Sequence, residues 1–492
     1  MKVSREQRAS LFAWLQRLVG AGIVVTAIPA GINLFAMGII PDKYLYIAVP
    51  LYVVIAGVVL WRLVCCQPKT VWRGALLVIA GVLMIAANVA VYNSGHSVNS
   101  FLSAVQPPQV AYVEYTVITK KDRGVALDSA RSVGMVGADT LHDKTAKALA
   151  DVTPAAQSSY DSLMALTEQL NTGAVELASI RTANMGVLQE NYREFYDSVA
   201  TLATYKVRDD NRQAAPKTDV TKPFVLYISG IDTYGDVGEV SRSDVNMLAV
   251  INPAKRTMLL VNTPRDYYVQ LHGVAGTPDK LTHAGIYGID MSRQTLGDLY
   301  GVEIPYYVRL NFTSLVKMVD VVGDITVDSD YAFHSFQVGK NTLDSKRTLE
   351  FARERYSFSD GDRQRGRNQQ KVIEAIVAKM SEPRNLTRYN AILSTLQSSL
   401  QTNMSQETIA SLIKMQLNDF KGWKVESMSV DGTGATRQTY SMGAMPLYVM
   451  IPDSTSVERA KERIGSICSR RGLGRHTSAV APQQLGNYNI QR

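Results

Sequence analysis

Between Phe351 and Lys371 the chain reads FARERYSFSDGDRQRGRNQQK, with Arg353, Arg355, Arg363, Arg365 and Arg367 against Glu354, Asp360 and Asp362. A guanidinium is a rigid, planar fork of donors that fits phosphate oxygens in pairs. Several forks in one short segment describe a place for a polyanion with clustered charge, and a pyrophosphate meets that description. Arg353 and Arg355 are two apart, so on an extended strand end both project to one side. From Asp362 the chain runs without Pro or a β-branched residue into VIEAIVAKM, which reads as an amphipathic helix. Asp362 takes the N-cap position, and Arg365 and Gln369 fall one turn apart on one face. An isolated arginine-rich run is more often a solvated basic surface, so the decision rests on what else gathers near it.

Three apolar strands supply further charges. FVLYIS stops at Gly230 and is followed by Asp232; SRSD places Arg242 and Asp244 just ahead of VNMLAVI; TMLLVNTPRD ends on Arg265 and Asp266. One charge at a strand end is noise, because Asp is common in turns and caps. Three, together with the later arginines, make a site, and ligands of open α/β sheets collect at strand ends. The chemistry suits the grouping. Mg²⁺ takes a few carboxylates and completes its shell with waters and phosphate oxygens, which Asp232 and Asp244 would allow. Arg265, Arg353, Arg355 and Arg365 would neutralise phosphate oxygens, and transfer at phosphorus needs mostly positioning and charge compensation. Lys280 is a further phosphate candidate, with a solvated lysine as the rival reading. His272 and His283 come without a nucleophile-elbow pattern, which disfavours a serine hydrolase.

These groups must be held by elements, and a chain of 492 residues has room for two or three domains. Charge-free apolar runs from Leu18 to Pro41, from Tyr44 to Trp61 and from Gly74 past Tyr92 predict three transmembrane helices near 18–40, 44–64 and 74–92. Lys2, Arg5, Arg8 and Arg17 before the first span, and Arg62, Lys69 and Arg73 around the second connection, put both on the cytoplasmic side. Everything after the third span is then extracytoplasmic. YNSGHSVNSF and VQPPQ read as a polar link out of the membrane. Residues 94–215 read as a small α/β accessory domain: AYVEYTVITKK and SVGMVGAD as strands, LDSARS and the long run from Ser158 to Leu202 as mostly helical, and residues 207–221 as a linker. Residues 216–385 read as the α/β catalytic domain, 386–468 as the C-terminal part of the outer region, and 469–492 as a loose tail. Apolar content around 280–330 could line either a lipid slot or a core.

In order along the chain, FVLYISGID, SRSDVNMLAVINP, LLVNTPRD, DKLTHAGIYG, VDVVGDITV and LEFARERYSFSDGDRQRGRNQQKVI resemble the LytR-CpsA-Psr family, most closely its streptococcal capsule members, over about 222–385. The three spans and the accessory domain resemble the capsule branch as well. The resemblance implies an α/β fold with a central sheet and a long hydrophobic slot for a polyprenyl chain. It implies a phosphotransferase that moves a glycan, capsular polysaccharide in that branch, from a polyprenyl-pyrophosphate carrier onto peptidoglycan, with Mg²⁺ or Mn²⁺. Other capsule-assembly proteins are candidate partners. Carried over by residue, Asp232 and Asp244 match the metal aspartates; Arg265, Arg353, Arg355 and Arg365 match the pyrophosphate arginines; Gln369 matches a polar partner; Lys280 matches less closely. Arg242 joins the pyrophosphate set, and Asp244, Arg265 and Arg353 are the expected catalytic residues. Many members carry Arg just before that Gln, where this chain has Asn368, and Arg367 is the candidate replacement.

The rival function is a regulator of capsule biosynthesis or transcription, with pyrophosphatase as a side activity, since a net charge of +8 is compatible with nucleic acid. Topology weighs against it, because the arginines of 353–367 face outward in the predicted arrangement, away from any genome.

Overall fold

The computed structural model describes residues 5–65, 71–105, 111–210, 219–231, 241–382 and 400–468. Three helices come first, α1 (Arg5–Ala36), α2 (Asp42–Cys65) and α3 (Val71–Ala104). Each is long and apolar enough to cross a membrane. Apolar surface gives helices little reason to associate in lipid, so polar side chains between them act as ties. Tyr52 Oη donates to Asn88 Oδ1 at 2.8 Å, and Asn88 Nδ2 donates to Thr26 Oγ1 at 3.0 Å, linking all three.

The third helix overruns its expected end at 92. YNSGHSVNSF is helical, not a link, because Val98, Phe101, Leu102 and Val105 recur at helical spacing and are buried. They pack against Val319, Val322, Val372 and Ile376 of the site-bearing unit. Polar contacts fix the same junction: Thr402 N donates to Val105 O at 2.8 Å, and Lys414 Nζ lies 2.9 Å from Asp42 Oδ1.

The accessory unit is one sheet. Its strands β1 (Ala111–Lys120), β2 (Ser132–Val136), β3 (Ala156–Tyr160), β4 (Leu177–Arg181) and β5 (Val199–Asp209) lie in the order β3-β2-β4-β1-β5. The mostly helical reading of Ser158–Leu202 is therefore corrected. That run contains β4, the end of β3 and the start of β5, around helices Leu163–Thr172, Thr182–Asn191 and Arg193–Ser198. Strand β4 is buried at every position, and a short apolar run of this kind cannot be told from helix by period alone. LDSARS is a turn leading into β2, and residues 207–209 complete β5 instead of opening a linker.

The site-bearing unit has a mixed sheet. Strands β6 (Phe224–Ile231), β7 (Val245–Asn252) and β8 (Thr257–Thr263) form an antiparallel meander with Gly230 opposite Val245 and Asn246 opposite Thr263. The end of β6, the start of β7 and the end of β8 thus lie side by side, which is why residues distant in sequence meet at one sheet end. A short ladder joins β9 (Tyr268–Val269) to β10 (Asp279–Lys280). Strand β11 (Tyr306–Asn311) runs parallel to β6, and β12 (Ile325–Ser329) pairs with β13 (Gly339–Leu343) as a separate ribbon. Strands β14 (Leu400–Thr402) and β15 (Lys424–Ser429) close the six-stranded order β14-β11-β6-β7-β8-β15, so both edges come from beyond residue 385. Strands β16 (Gly432–Thr439) and β17 (Gly443–Pro452) form a hairpin.

Side chains alternate across a strand, and both sheet faces are covered. Val225, Tyr227, Leu248, Val250, Leu259 and Val261 pack on helices Ile289–Tyr300 and Ser454–Cys468. Phe224, Ile228, Met247, Ala249 and Leu260 pack on helices Gly361–Met380 and Gln406–Asp419. The accessory unit docks on this layer system through Leu163, Ile180 and Leu188 against Ile286, Met442 and Leu447. Burial raises the cost of charging Asp139 there, yet Arg181, 2.6 Å away, holds its carboxyl below the usual range.

Candidate functional site

Two helices deliver the arginines. Arg353 is the last residue of helix Ser345–Arg353, not a strand end as the sequence suggested, and Arg355 follows in the loop. The last carbonyls of a helix lack partners inside it. Here the next helix, Gly361–Met380, supplies them: Asn368 Nδ2 donates to Phe351 O at 3.2 Å and Gln369 Nε2 to Ala352 O at 3.3 Å. Those contacts lock the Arg353 helix end against the face that carries Arg365. The N-cap of the second helix is Asp360 rather than Asp362. The helix also approaches β8 closely, since a Cβ on Gly366 would stand 2.2 Å from Asn262 Nδ2. Gly366→Ala is expected to cost about 1–3 kcal/mol through overpacking, read as a lowered Tm. Gly186→Ala, where an added Cβ meets nothing within 4 Å, should be neutral or gain up to about 1 kcal/mol. Equal melting shifts for the two would refute the close-packing argument.

Arg353, Arg355, Arg365 and Gln369 open onto one pocket of about 400 Å³, together with Asp244. Its other wall is apolar: Ile228, Ile231, Val245, Leu310, Leu315, Val372 and Ile373. Leu315 and Val372 belong to the same hydrophobic cluster as Val98, Phe101 and Leu102 of α3. The apolar side of the pocket is therefore continuous with the packing of a membrane-type helix. Arg355 stacks on Tyr356 with the guanidinium 4.7 Å from the ring centre, and Tyr356 is 83% exposed at the pocket rim.

Asp244 joins the pocket to a second layer of charge. Arg265 Nη1 donates to Asp244 Oδ1 at 2.5 Å, while its Nη2 lies 3.0 Å from Glu190 Oε1. Arg242 ion-pairs with the same Glu190, and burial pushes the Arg242 guanidinium below its ordinary range. Lys280 Nζ is 2.5 Å from Asp266 Oδ1. Arg242, Arg265 and Lys280 thus stand behind Asp244 and do not line the pocket itself. Asp232 lies outside the described residues.

Arg363 and Arg367 turn elsewhere. Arg363 pairs with Asp431, and Arg367 with Asp360 and Gln364. Arg367 does not take over the position of Asn368, which is fully buried and committed to the Phe351 carbonyl and to Gln364. Of three carboxylates near the pocket, Glu350 and Glu190 had no signal in the sequence, and Glu354 appeared there only as a counter-charge to the arginines. Glu350 and Glu354 line the pocket, and both also reach His334. Glu190 comes from the accessory unit, where no local pattern could have tied it to Arg242.

The geometry can hold a polyanion against arginines with a hydrocarbon chain beside it. Among the described residues no three His, Cys, Asp or Glu side chains converge as a metal cage. A Mg²⁺ that takes one or two carboxylates and completes its shell with water and phosphate needs no such cage, so Asp244 at the pocket wall fits that donor set.

Three helices of membrane-spanning length and a mixed α/β domain whose pocket sets arginines against an apolar wall define the class of this protein. The chain belongs to the LytR_cpsA_psr family, whose model matches residues 192–463. An Enterococcus faecalis protein named polyisoprenyl-teichoic acid–peptidoglycan teichoic acid transferase TagU is 32% identical over 238 residues, 47% of this chain and 77% of the relative. The Bacillus cereus protein of the same name is 31% identical over 234 residues, 46% and 75%. The crystal structure of B. subtilis TagV aligns with a TM-score of 0.43 at 25% identity, over 50% of this chain and 98% of that one.

Proposed function

We propose that this chain is a membrane-anchored phosphotransferase that moves a glycan of the capsular polysaccharide type from a polyprenyl-pyrophosphate carrier onto peptidoglycan, outside the cytoplasmic membrane. One observation carries the reading: a single pocket sets Arg353, Arg355 and Arg365 against a wall of Ile228, Leu310, Leu315, Val372 and Ile373. A pyrophosphate on a long hydrocarbon chain has that composition. The relatives named as teichoic acid transferases support the reaction class. The three helices and the accessory unit, which resemble the capsule branch, favour a capsular glycan.

The chemistry is a displacement at phosphorus. The acceptor hydroxyl oxygen bonds to the phosphorus that carries the glycan, and the bridging P–O bond to the polyprenyl phosphate breaks. The glycan phosphate ends on the wall, the polyprenyl phosphate leaves with the bridging electron pair, and the acceptor proton passes to water or to the departing phosphate oxygen. Arg353, Arg355 and Arg365 neutralise phosphate oxygens as charge shifts to the leaving group. Gln369 fixes the helix end that aims Arg353. Arg265, backed by Arg242 and Lys280, holds Asp244. Asp232 and Asp244 would hold Mg²⁺ or Mn²⁺, which supplies further neutralisation of phosphate charge when bound.

The test uses the full chain in nanodiscs with a polyprenyl-pyrophosphate-linked saccharide, Mg²⁺ and peptidoglycan. Saccharide is expected in the wall fraction together with released polyprenyl phosphate. Release of saccharide phosphate to water alone would make the protein a pyrophosphatase, and no turnover of the lipid would sink the reading.

A further inference from the structure

Glu190 lies in the last turn of the accessory helix Thr182–Asn191 and reaches across to the site-bearing unit. Its carboxylate bridges two guanidinia: Oε1 lies 3.0 Å from Arg265 Nη2, and Oε2 pairs with Arg242 Nη1. Neither arginine is well solvated, with side chains 8% and 23% exposed. Two adjacent guanidinia cannot lose their charge, and partly buried charges are costly unless an anion compensates them.

Among the described residues the cluster holds Arg242, Arg265 and Lys280 against Asp244, Asp266 and Glu190. Lys280 engages Asp266, and Arg265 engages Asp244, each at 2.5 Å. Glu190 is the carboxylate that meets Arg242. Asp244 and Asp266 are the other carboxylates whose charge acts on Arg242, so an Arg242 released from Glu190 would compete with Arg265 for Asp244.

We propose that Glu190 is a positioning residue of the transfer site, contributed by the accessory unit: it holds Arg242 and Arg265 so that Arg265 meets Asp244 at the pocket wall. The proposal rests on the phosphotransfer reading and adds a role for the accessory unit, which completes the charge balance behind the site.

Full-length Glu190→Gln, Glu190→Ala and Glu190→Asp variants in nanodiscs test it, with kcat and KM for a polyprenyl-pyrophosphate-linked saccharide measured beside Tm. The Gln and Ala variants are expected to lose about tenfold or more in kcat, roughly 1.4 kcal/mol. KM should stay within about threefold, because the pocket arginines and the apolar wall are untouched. The Asp variant, which keeps a carboxylate, should recover part of the rate. A Gln variant as fast as wild type would overturn the proposal. A faster Gln variant would make Glu190 a blocking anion, and an Asp variant no better than Ala with Tm falling in step would make the pair merely structural. A structure of full-length Glu190→Gln separates this claim from the activity: Arg265 should leave Asp244, and an unchanged pairing overturns the positioning role even if wild type turns over no lipid substrate.

Discussion

Arg353→Ala, Arg355→Ala and Arg365→Ala are each expected to lower turnover on a polyprenyl-pyrophosphate-linked saccharide by tens-fold or more, while Arg363→Ala stays near wild type. All three line the pocket, and a charge-assisted contact to phosphate is worth about 1.5–3 kcal/mol, where about 1.4 kcal/mol is tenfold. Lysine at these positions should restore only part of the loss, since a point charge cannot make the paired contacts of a guanidinium. Arg355→Lys carries a second consequence, because it also gives up the stack on Tyr356. Arg363 sits only two residues before Arg365, so a diffuse basic surface would treat both alike. Its partner is instead Asp431, in a pair with side chains 40% and 58% exposed, the kind worth about 0–1 kcal/mol. Glycan attachment to the wall and purified turnover, measured for Ala and Lys at all four positions, decide the matter. Equal mild losses at all four would leave only a solvated basic face.

The meeting of Asp244 with Arg265 was readable from the sequence because each adjoins a recognisable apolar strand. An antiparallel meander brings the end of one strand beside the start of the next, so strand-end charges converge without long-range information. The arginine helix was readable for a similar reason: Arg365 and Gln369 sit one turn apart, and the structure keeps both on the pocket. Arg353 reached the pocket by another route than expected, on a helix end whose carbonyls Asn368 and Gln369 satisfy. That explains why an amide serves at 368, a point no spacing rule exposes. Glu190 could not be found, because its pairing with Arg242 is a product of domain docking. The overrun of α3 was within reach, since Val98, Phe101, Leu102 and Val105 keep helical spacing through a polar stretch. The polar letters between them masked an amphipathic pattern that the buried face makes plain.

Asp244→Ala and Asp244→Asn should both abolish transfer, with losses of about a hundredfold or more, but they should part company in stability. Asp244 stands at the only junction, among the described residues, between the pocket and the charge layer behind it. Its carboxylate has two duties in the proposed mechanism, a ligand for Mg²⁺ or Mn²⁺ and the anchor of Arg265. The metal duty needs the negative charge, and the anchoring of Arg265 is weakened without it, so the isosteric Asn should be as inactive as Ala. Stability separates shape from charge. The Arg265 side chain is 8% exposed and that of Asp244 10%, and breaking a buried pair by removing one partner costs about 3–5 kcal/mol. Asn keeps an oxygen that accepts from Arg265 Nη1, so it should recover part of that cost, while Ala should not. Melting curves and turnover across a Mn²⁺ titration read both effects at once. An Asn variant that regains activity at high Mn²⁺ would leave Asp244 as a ligand of modest weight. Wild-type turnover in both variants at saturating metal would remove Asp244 from the site and, with it, the reason for Arg265 to face the pocket wall.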